Sequence, residues 1–99
     1  MTLTNEQFEY LSQFEAHFAA AIDSRYYKAL GIDAARRIND IHRELFGRTK
    51  DVTFVACRLE MLTAVGKVWR IDRTEREARA AAEAAVSAPA KKPAKKARK

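Results

Sequence analysis

Cysteine, proline and glycine are scarce in this 99-residue sequence. Its single cysteine, Cys57, cannot form an internal disulfide, and its place in an apolar segment predicts a buried, inert thiol in a reducing compartment. No eighteen-residue run is uninterruptedly apolar, so no transmembrane helix is predicted. The first residues have neither the basic region nor the apolar core of a secretory signal. We therefore expect a cytoplasmic protein, with association with a nucleoid or a virion left open.

Residues that could carry catalysis are also few. His17, His42 and Cys57 fall on three separate predicted helices, whereas a metal site needs three or four converging ligands. Apolar surroundings raise the pKa of a thiol and weaken it as a nucleophile. The three glycines form no loop of the kind that cradles a phosphate. The sequence therefore predicts a non-enzymatic protein with no catalytic residue, metal, cofactor or small-molecule substrate.

Basic residues are present in excess, but they are concentrated at one end of the chain. Residues 1–70 carry ten basic and nine acidic side chains, and residues 71–86 carry three basic and four acidic ones. Residues 87–99 carry six basic side chains and no acidic one. The net charge of +6 therefore belongs to the C-terminal tail, and the rest of the chain is close to neutral.

The most apolar segment is residues 52–69, in which twelve of eighteen residues are apolar and only Arg58, Glu60 and Lys67 are charged. As a helix capped by Asp51, it is apolar on most sides and must be packed on most sides. We expect it to be the central helix of a small bundle. Arg58 falls inside the apolar arc, so its stem either covers the core or its charge pairs with a carboxylate, and a partner surface is the alternative.

Two helices are predicted before this segment. A capping box of Thr4 and Gln7 precedes an amphipathic helix over residues 5–24, with continuation through residue 30 left open and Gly31 as its end. Its inward side chains are Phe8, Leu11, Phe14, Phe18 and Ile22. Asp33 is the expected N-cap of a second helix over residues 34–46, closed by Gly47. Its inward side chains are Ala34, Ile38, Ile41 and Leu45, and its outward arginines are Arg36, Arg37 and Arg43.

After Trp69 the composition changes to strong helix formers with little to bury except Ile71. The third helix is thus expected to overrun the domain, helped by Arg73–Glu77 and Glu75–Arg79 pairs. The predicted fold class is all-α: a three-helix domain over residues 1–70, an alanine-rich helical extension over 71–86 and a disordered basic tail over 87–99. The tail has two prolines and no apolar residue larger than alanine, so it cannot offset its ordering entropy by burial.

The tail carries the candidate functional residues, which are Lys91, Lys92, Lys95, Lys96, Arg98 and Lys99. Closely spaced cations on a flexible chain can follow a phosphate backbone without reading bases. The tail has no aromatic side chain to stack on unpaired bases and no large apolar one to anchor in a membrane. Non-specific binding to nucleic acid is the leading interpretation, and a solubilising tail or an import signal is the alternative.

The folded part offers two further hypotheses. Residues 34–46 and 52–69 form a helix–loop–helix, but its second helix is too apolar to read a DNA groove, which leaves Arg36, Arg37 and Arg43 as a secondary basic surface. If the first two helices cannot cover the central helix, Trp69 or Arg58 should lie at a surface for self-association. The second function left open is therefore a helical structural or adaptor protein that assembles through residues 52–69, with no membrane partner.

Two resemblances accompany these patterns. The run Ala90-Lys91-Lys92-Pro93-Ala94-Lys95-Lys96 resembles the basic tails of linker histones and bacterial nucleoid proteins. The motifs NEQFEYL, LFG and CRLEMLTAVGKVW, the last at residues 57–69, resemble small helical proteins of tailed phages and other mobile elements. The first resemblance implies contact with nucleic acid, and the second implies no activity and no functional residue.

Overall fold

The computed structural model describes residues 2–87, with side chains described through residue 85. This part of the chain is entirely α-helical, with four helices: α1 (Asn5–Ser12), α2 (Glu15–Ser24), α3 (Ile32–Phe46) and α4 (Val55–Ser87). The predicted all-α class is confirmed for these residues, but the prediction of three helices is wrong because residues 5–24 form two helices. The disordered tail was predicted to begin at residue 87, but Ser87 is the last residue of α4. The predicted disorder of residues 88–99 lies outside the described residues.

The break between α1 and α2 lies at Gln13 and Phe14. The capping box predicted at Thr4 and Gln7 is present, with hydrogen bonds of 3.0 Å in both directions. At the other end of α1, Ser12 donates its hydroxyl to the carbonyl of Phe8 and accepts a 3.1 Å hydrogen bond from the Trp69 indole. A serine hydroxyl bonded to the carbonyl four residues earlier tends to bend a helix. Here the same hydroxyl also accepts from the buried indole of Trp69, which fixes its position.

The second helix ends earlier than expected. Arg25 adopts a left-handed conformation with φ of 53°, and the amide of Tyr26 donates to the carbonyl of Ala20 at 2.9 Å. Residues 25–30 therefore form a connection and not a continuation of the helix, and Gly31 is the N-cap of α3. Asp33 thus lies in the first turn of α3 and not at its N-cap. The prediction for the other end of α3 is confirmed, since Gly47 closes it with φ of 79°.

The core lies between α4 and the three shorter helices. The most deeply buried apolar side chains come from all four helices, and they include Leu11, Phe18, Ile38, Met61, Leu62 and Val65. Gly66 allows α2 to pack closely on α4, because a Cβ at this position would lie 2.9 Å from three side-chain carbons of Phe18. Phe8 and Phe18 pack on the indole of Trp69, with ring centroids 6.1 and 5.7 Å away. The prediction of a central helix that is buried by the other helices is therefore confirmed for residues 61–69.

The start of the central helix differs from the prediction. Asp51 accepts hydrogen bonds from the amide and hydroxyl of Thr53, so it caps a turn and not the helix, which begins at Val55. Phe54 and Val55 are 61% and 58% exposed, although both lie in the segment that was expected to be packed on most sides. On α3, Ala35 and His42 are buried, while Ala34 and Leu45 are only partly buried.

Contacts of α4 with the rest of the domain continue to Arg76. Its guanidinium donates to Asp72 at 3.0 Å, to Asn5 at 2.7 Å and to the carbonyl of Leu3 at 3.0 Å. Asp72 is 2% exposed and Ile71 is 61% exposed, the reverse of the expectation that Ile71 is the residue to bury. Beyond Arg76, residues 77–85 are all exposed and form a helical arm.

Candidate nucleic-acid interface and exposed surfaces

The arm is the structural link between the folded helices and the basic tail. α4 has 33 residues and is therefore about 50 Å long, in a protein whose principal extents are 57 × 26 × 18 Å. The six tail cations, Lys91, Lys92, Lys95, Lys96, Arg98 and Lys99, lie outside the described residues, so the structure describes only the helix that leads to them. Charged residues of both signs alternate with alanine along the arm, which makes it a nearly neutral spacer.

The folded part does not add a concentrated positive field. Residues 2–87 contain thirteen basic and thirteen acidic residues, so their formal net charge is zero. Several of the cations form ion pairs with carboxylates. Arg70 donates two hydrogen bonds of 3.1 and 2.8 Å to Asp23, and Arg73 donates one of 2.8 Å to Glu15. The tail therefore differs sharply from the folded part in its attraction for an anionic polymer.

The secondary basic surface proposed on α3 is exposed but mixed in sign. Arg36, Arg37 and Arg43 are all exposed, and Arg36 and Arg43 share a helical face because they are two turns apart. Asp40 lies on the same face between them. Arg37 lies over the ring of Tyr10, with its Cζ 4.6 Å from the ring centroid, and borders a depression that also contains Asp40 and Glu44. The three arginines thus stand among carboxylates and do not form a continuous positive patch.

Of the three residues considered for catalysis, the two histidines contact the connections between helices. The Nδ1 atom of His42, whose side chain is 2% exposed, lies 2.7 Å from the carbonyl of Arg48, and an imidazole N–H there would hold the loop after α3. His17 Nε2 lies 3.0 Å from the carbonyl of Ala29. Cys57 is half-buried. Within residues 2–87 no three His, Cys, Asp or Glu side chains are grouped closely enough to hold a metal ion.

Arg58 has a role that the sequence did not indicate. Its guanidinium donates to the Val52 carbonyl, to the Tyr27 hydroxyl at 3.0 Å and to the Leu30 carbonyl at 3.2 Å. It therefore ties both interhelical connections, residues 25–31 and 47–54, to α4. Pairing with a carboxylate, one of the alternatives left open for Arg58, is not observed, since all three acceptors are neutral. The backbone carbonyls of a connection have no partner within a helix and need a donor from elsewhere. That need is the signal that could have suggested this role for Arg58.

The pKa shifts of two aspartates have equally local causes. The side-chain hydrogen bonds from Arg70 hold the pKa of Asp23 below its ordinary value, against a smaller opposing effect of desolvation. The hydroxyl and then the amide of Thr53 lower the pKa of Asp51 in the same way. Both carboxylates are exposed at the surface of the domain. The hydrogen bonds that cause these shifts belong to an ion pair and to a turn, respectively.

One face of α4 is left open. It forms the floor of a groove of about 580 Å³, lined along α4 by Leu59, Glu60, Thr63, Ala64, Lys67, Val68 and Ile71 and at its sides by Ile22, Arg25 and Phe46. This face was not singled out from the sequence, from which residues 52–69 were expected to be packed on most sides. Trp69, one of the two residues predicted for self-association, is 2% exposed and is therefore not available for it. The other, Arg58, is engaged within the domain by its hydrogen bonds to Val52, Tyr27 and Leu30. No helix within residues 2–87 is long and apolar enough to cross a membrane.

No protein-family model, curated protein or solved structure matches this chain. The candidate surfaces are therefore defined by their own charge, exposure and shape.

Proposed function

We propose that this chain is a non-enzymatic, nucleic-acid-associated accessory protein that binds the phosphate backbone non-specifically through its basic tail. The single observation that carries the proposal is the segregation of charge. Six cations and no acidic residue occupy residues 87–99, whereas the charges of residues 2–87 cancel. A polyanion is the partner that such a tail attracts most strongly, since each neutralised phosphate releases condensed counterions.

The helical arm supports this proposal by position. Residues 77–85 are exposed and carry the chain away from the folded core before the basic segment of the sequence begins. Because the tail has no aromatic side chain to stack on bases, and contacts to phosphates carry no sequence information directly, binding is expected to be nearly independent of base sequence. Such a protein would act in the cytoplasm, at a nucleoid or within a virion.

The salt dependence of binding to duplex DNA tests the proposal. Each phosphate neutralised contributes about −0.9 to the slope of log affinity against log salt, so six engaged cations give a slope of about −5 and three give about −3. The matched variants replace either the six tail cations or Arg36, Arg37 and Arg43 by glutamine, with chain length unchanged. We expect the tail variant to lose most of the affinity and the salt dependence, and the α3 variant to bind nearly as the unaltered chain does.

Two outcomes would contradict this assignment. Binding that survives in the tail variant and disappears in the α3 variant would make the folded domain the binder. Absence of binding by every variant at low salt, with both DNA and RNA, would remove nucleic acid as the partner.

The open groove on α4 favours a second candidate function, that of a helical structural or adaptor protein whose partner occupies this groove. In that case the tail serves solubility. The observation behind it is the exposure of apolar surface on a helix whose opposite side forms the core, including Ile71 at 61% exposure.

A further inference from the structure

The groove on α4 has a polar pattern as well as an apolar floor. At about 100° per residue, Glu60, Lys67 and Ile71 project within about 40° of one another on the side of α4 opposite the core. All three are exposed. The small residues Thr63 and Ala64 lie between Glu60 and Lys67, and Leu59 and Val68 flank them towards the core. The face therefore has small side chains at its centre, a negative side chain before the centre and a positive one after it, and apolar side chains along its edges.

The order of these residues makes the face complementary to itself. Glu60 and Lys67 are seven residues, or about 10 Å, apart, and the midpoint between them falls between Thr63 and Ala64. If the face is rotated by 180° about an axis through this midpoint, every residue n comes opposite residue 127 − n. Glu60 then meets Lys67 of the partner subunit, and the reverse pair forms by symmetry. Near the ends of this strip, Ile71 comes opposite Ala56 of the partner subunit, so a large side chain is matched with a small one.

We infer that the groove is occupied by α4 of a second copy of this chain, packed antiparallel about a two-fold axis between Thr63 and Ala64. The inference rests on the second candidate function and names its partner, but it does not depend on nucleic-acid binding. Small residues at the axis let the two backbones approach closely. The two Glu60–Lys67 pairs fix the register, since a shift by one turn would separate them. Lys67 forms no ion pair within the described chain, and Glu60 forms an exposed one with Lys50 at 3.1 Å.

Other occupants fit the groove less well. The C-terminal tail of the same chain has no apolar side chain larger than alanine, so it cannot cover Leu59, Val68 or Ile71. A different amphipathic helix could cover the apolar floor, but the inverted order of Glu60 and Lys67 is a property that only a copy of this helix matches without further assumption. The contact strip from residue 56 to residue 71 is about 23 Å long, which is short for an interface. The dimer is therefore expected to dissociate on dilution.

The geometry has a consequence for the rest of the molecule. From the two-fold axis to Ser87 is about 24 residues, or about 35 Å of helix. An antiparallel dimer would therefore place the ends of its two arms about 70 Å apart, pointing in opposite directions. A dimer whose tails bind nucleic acid would be bivalent and could bridge two segments of duplex.

Charge reversal tests both the association and its register. Sedimentation velocity on the nuclease-treated full-length chain, over concentrations from micromolar to about millimolar, should show a monomer–dimer equilibrium. We expect Glu60→Lys and Lys67→Glu each to weaken dimerisation at least tenfold, because each places like charges opposite one another. The double variant E60K/K67E should restore it to within a few-fold of the unaltered chain. Glu9→Lys and Arg36→Glu make the same charge changes on exposed positions outside the groove and should leave association unchanged.

Cysteine cross-linking gives a second measurement that does not depend on charge. In a Cys57→Ser background, Thr63→Cys places two thiols next to the axis, where mild oxidation should yield a disulfide-linked dimer. Thr74→Cys places them about 32 Å apart and should yield none. Circular dichroism checks that each variant remains helical.

A chain that stays monomeric at every concentration would overturn the inference while leaving nucleic-acid binding by the tail unaffected. A dimer that ignores both single reversals, or that the double variant does not restore, would overturn the register and with it the proposed face.

Discussion

Within the single helix α4, residues 55–76 and residues 77–87 differ in what surrounds them. The first part contains Met61, Leu62, Val65 and Trp69, all buried against the three shorter helices. The second part is exposed throughout residues 77–85. Both parts are continuous α-helix. One helix therefore persists through two very different environments, which requires two different sources of stability.

The sequences of the two parts show what those sources are. Residues 55–76 include Gly66, two threonines and several β-branched and aromatic residues, which are modest or poor helix formers. Their helix is stabilised by burial. Residues 77–85 are six alanines, two glutamates and one arginine, all with high intrinsic helix propensity, so their helix needs no packing. Substitutions that remove packing contacts should therefore lower the stability of the first part alone. Substitutions that lower helix propensity should reduce global stability in the first part and only local helicity in the second.

The largest effect is expected for Leu62→Ala. Leu62 is fully buried, and removing most of a buried leucine costs about 2–5 kcal/mol of unfolding free energy through lost burial and the cavity left behind. In a domain of this size that is a large share of the total stability. Chemical denaturation followed by circular dichroism measures it. A loss below about 1 kcal/mol, the level of an ordinary surface substitution, would contradict the placement of Leu62 in the core.

Much of this core could be predicted from helical periodicity. The spacing of Ile38 and Ile41 and of Leu62 and Val65 places each pair on one helical face, and all four are buried. Leu11 and Phe18 were also predicted to point inward and are buried, although they lie on separate helices. The capping box at Thr4 and the closing Gly47 are local signals in which the residue type and the backbone conformation determine each other. Such features need no knowledge of the remainder of the chain.

Other features depend on partners far away in sequence and could not be predicted. The break after Ser12 involves the indole of Trp69, 57 residues later, and the connection at residues 25–30 is held by Arg58. The exchange between Ile71 and Asp72 has the same origin. Asp72 faces the domain because Arg76 bonds its carboxylate and the N-terminal segment together. Neighbouring residues of a helix project about 100° apart, so Ile71 points away from the domain. The groove was missed because periodicity identifies apolar positions without showing which of them remain uncovered.

The boundary between the two parts of α4 can be located with Arg76 and Arg79. Arg76→Ala removes hydrogen bonds to Asp72, Asn5 and the Leu3 carbonyl and leaves the buried carboxylate of Asp72 without its cation. We expect a loss of about 2–3 kcal/mol, the range for hydrogen bonds of charged groups with a partner left unsatisfied. Arg79→Ala, on the exposed arm, is the matched control and should change stability by less than about 0.5 kcal/mol. Equal effects of the two substitutions would mean that the packed part ends before Arg76.

An alanine-to-glycine substitution compares the two parts by the same chemical change. Ala64→Gly in the packed part should cost about 1 kcal/mol of global stability, because the helix there unfolds only with the domain. Ala81→Gly on the arm should reduce helicity at 222 nm yet leave the global unfolding free energy within about 0.5 kcal/mol, because the arm can fray by itself. Low protein concentration keeps association out of the measurement. A global loss at Ala81 as large as that at Ala64 would show that the arm and the domain unfold as one unit.

The smallest effect concerns the exposed ion pair that ties α2 to the packed part of α4. Hydrogen bonds from Arg70 lower the pKa of Asp23 in the folded protein, so the folded state favours the ionised carboxylate. Its contribution to stability is therefore fully present above the unfolded pKa of about 4 and is lost as the pH falls through the lower folded value. Asp23→Asn should lower the melting temperature slightly at pH 7, and the difference from the unaltered chain should disappear in strong acid. Arg70→Gln should have the same pH profile, and combining the two substitutions should add little, because each already removes the pair. A difference in melting temperature that is as large at pH 2.5 as at pH 7 would mean that Asp23 contributes through packing or helix propensity, and that its charge is irrelevant to the contact between α2 and α4.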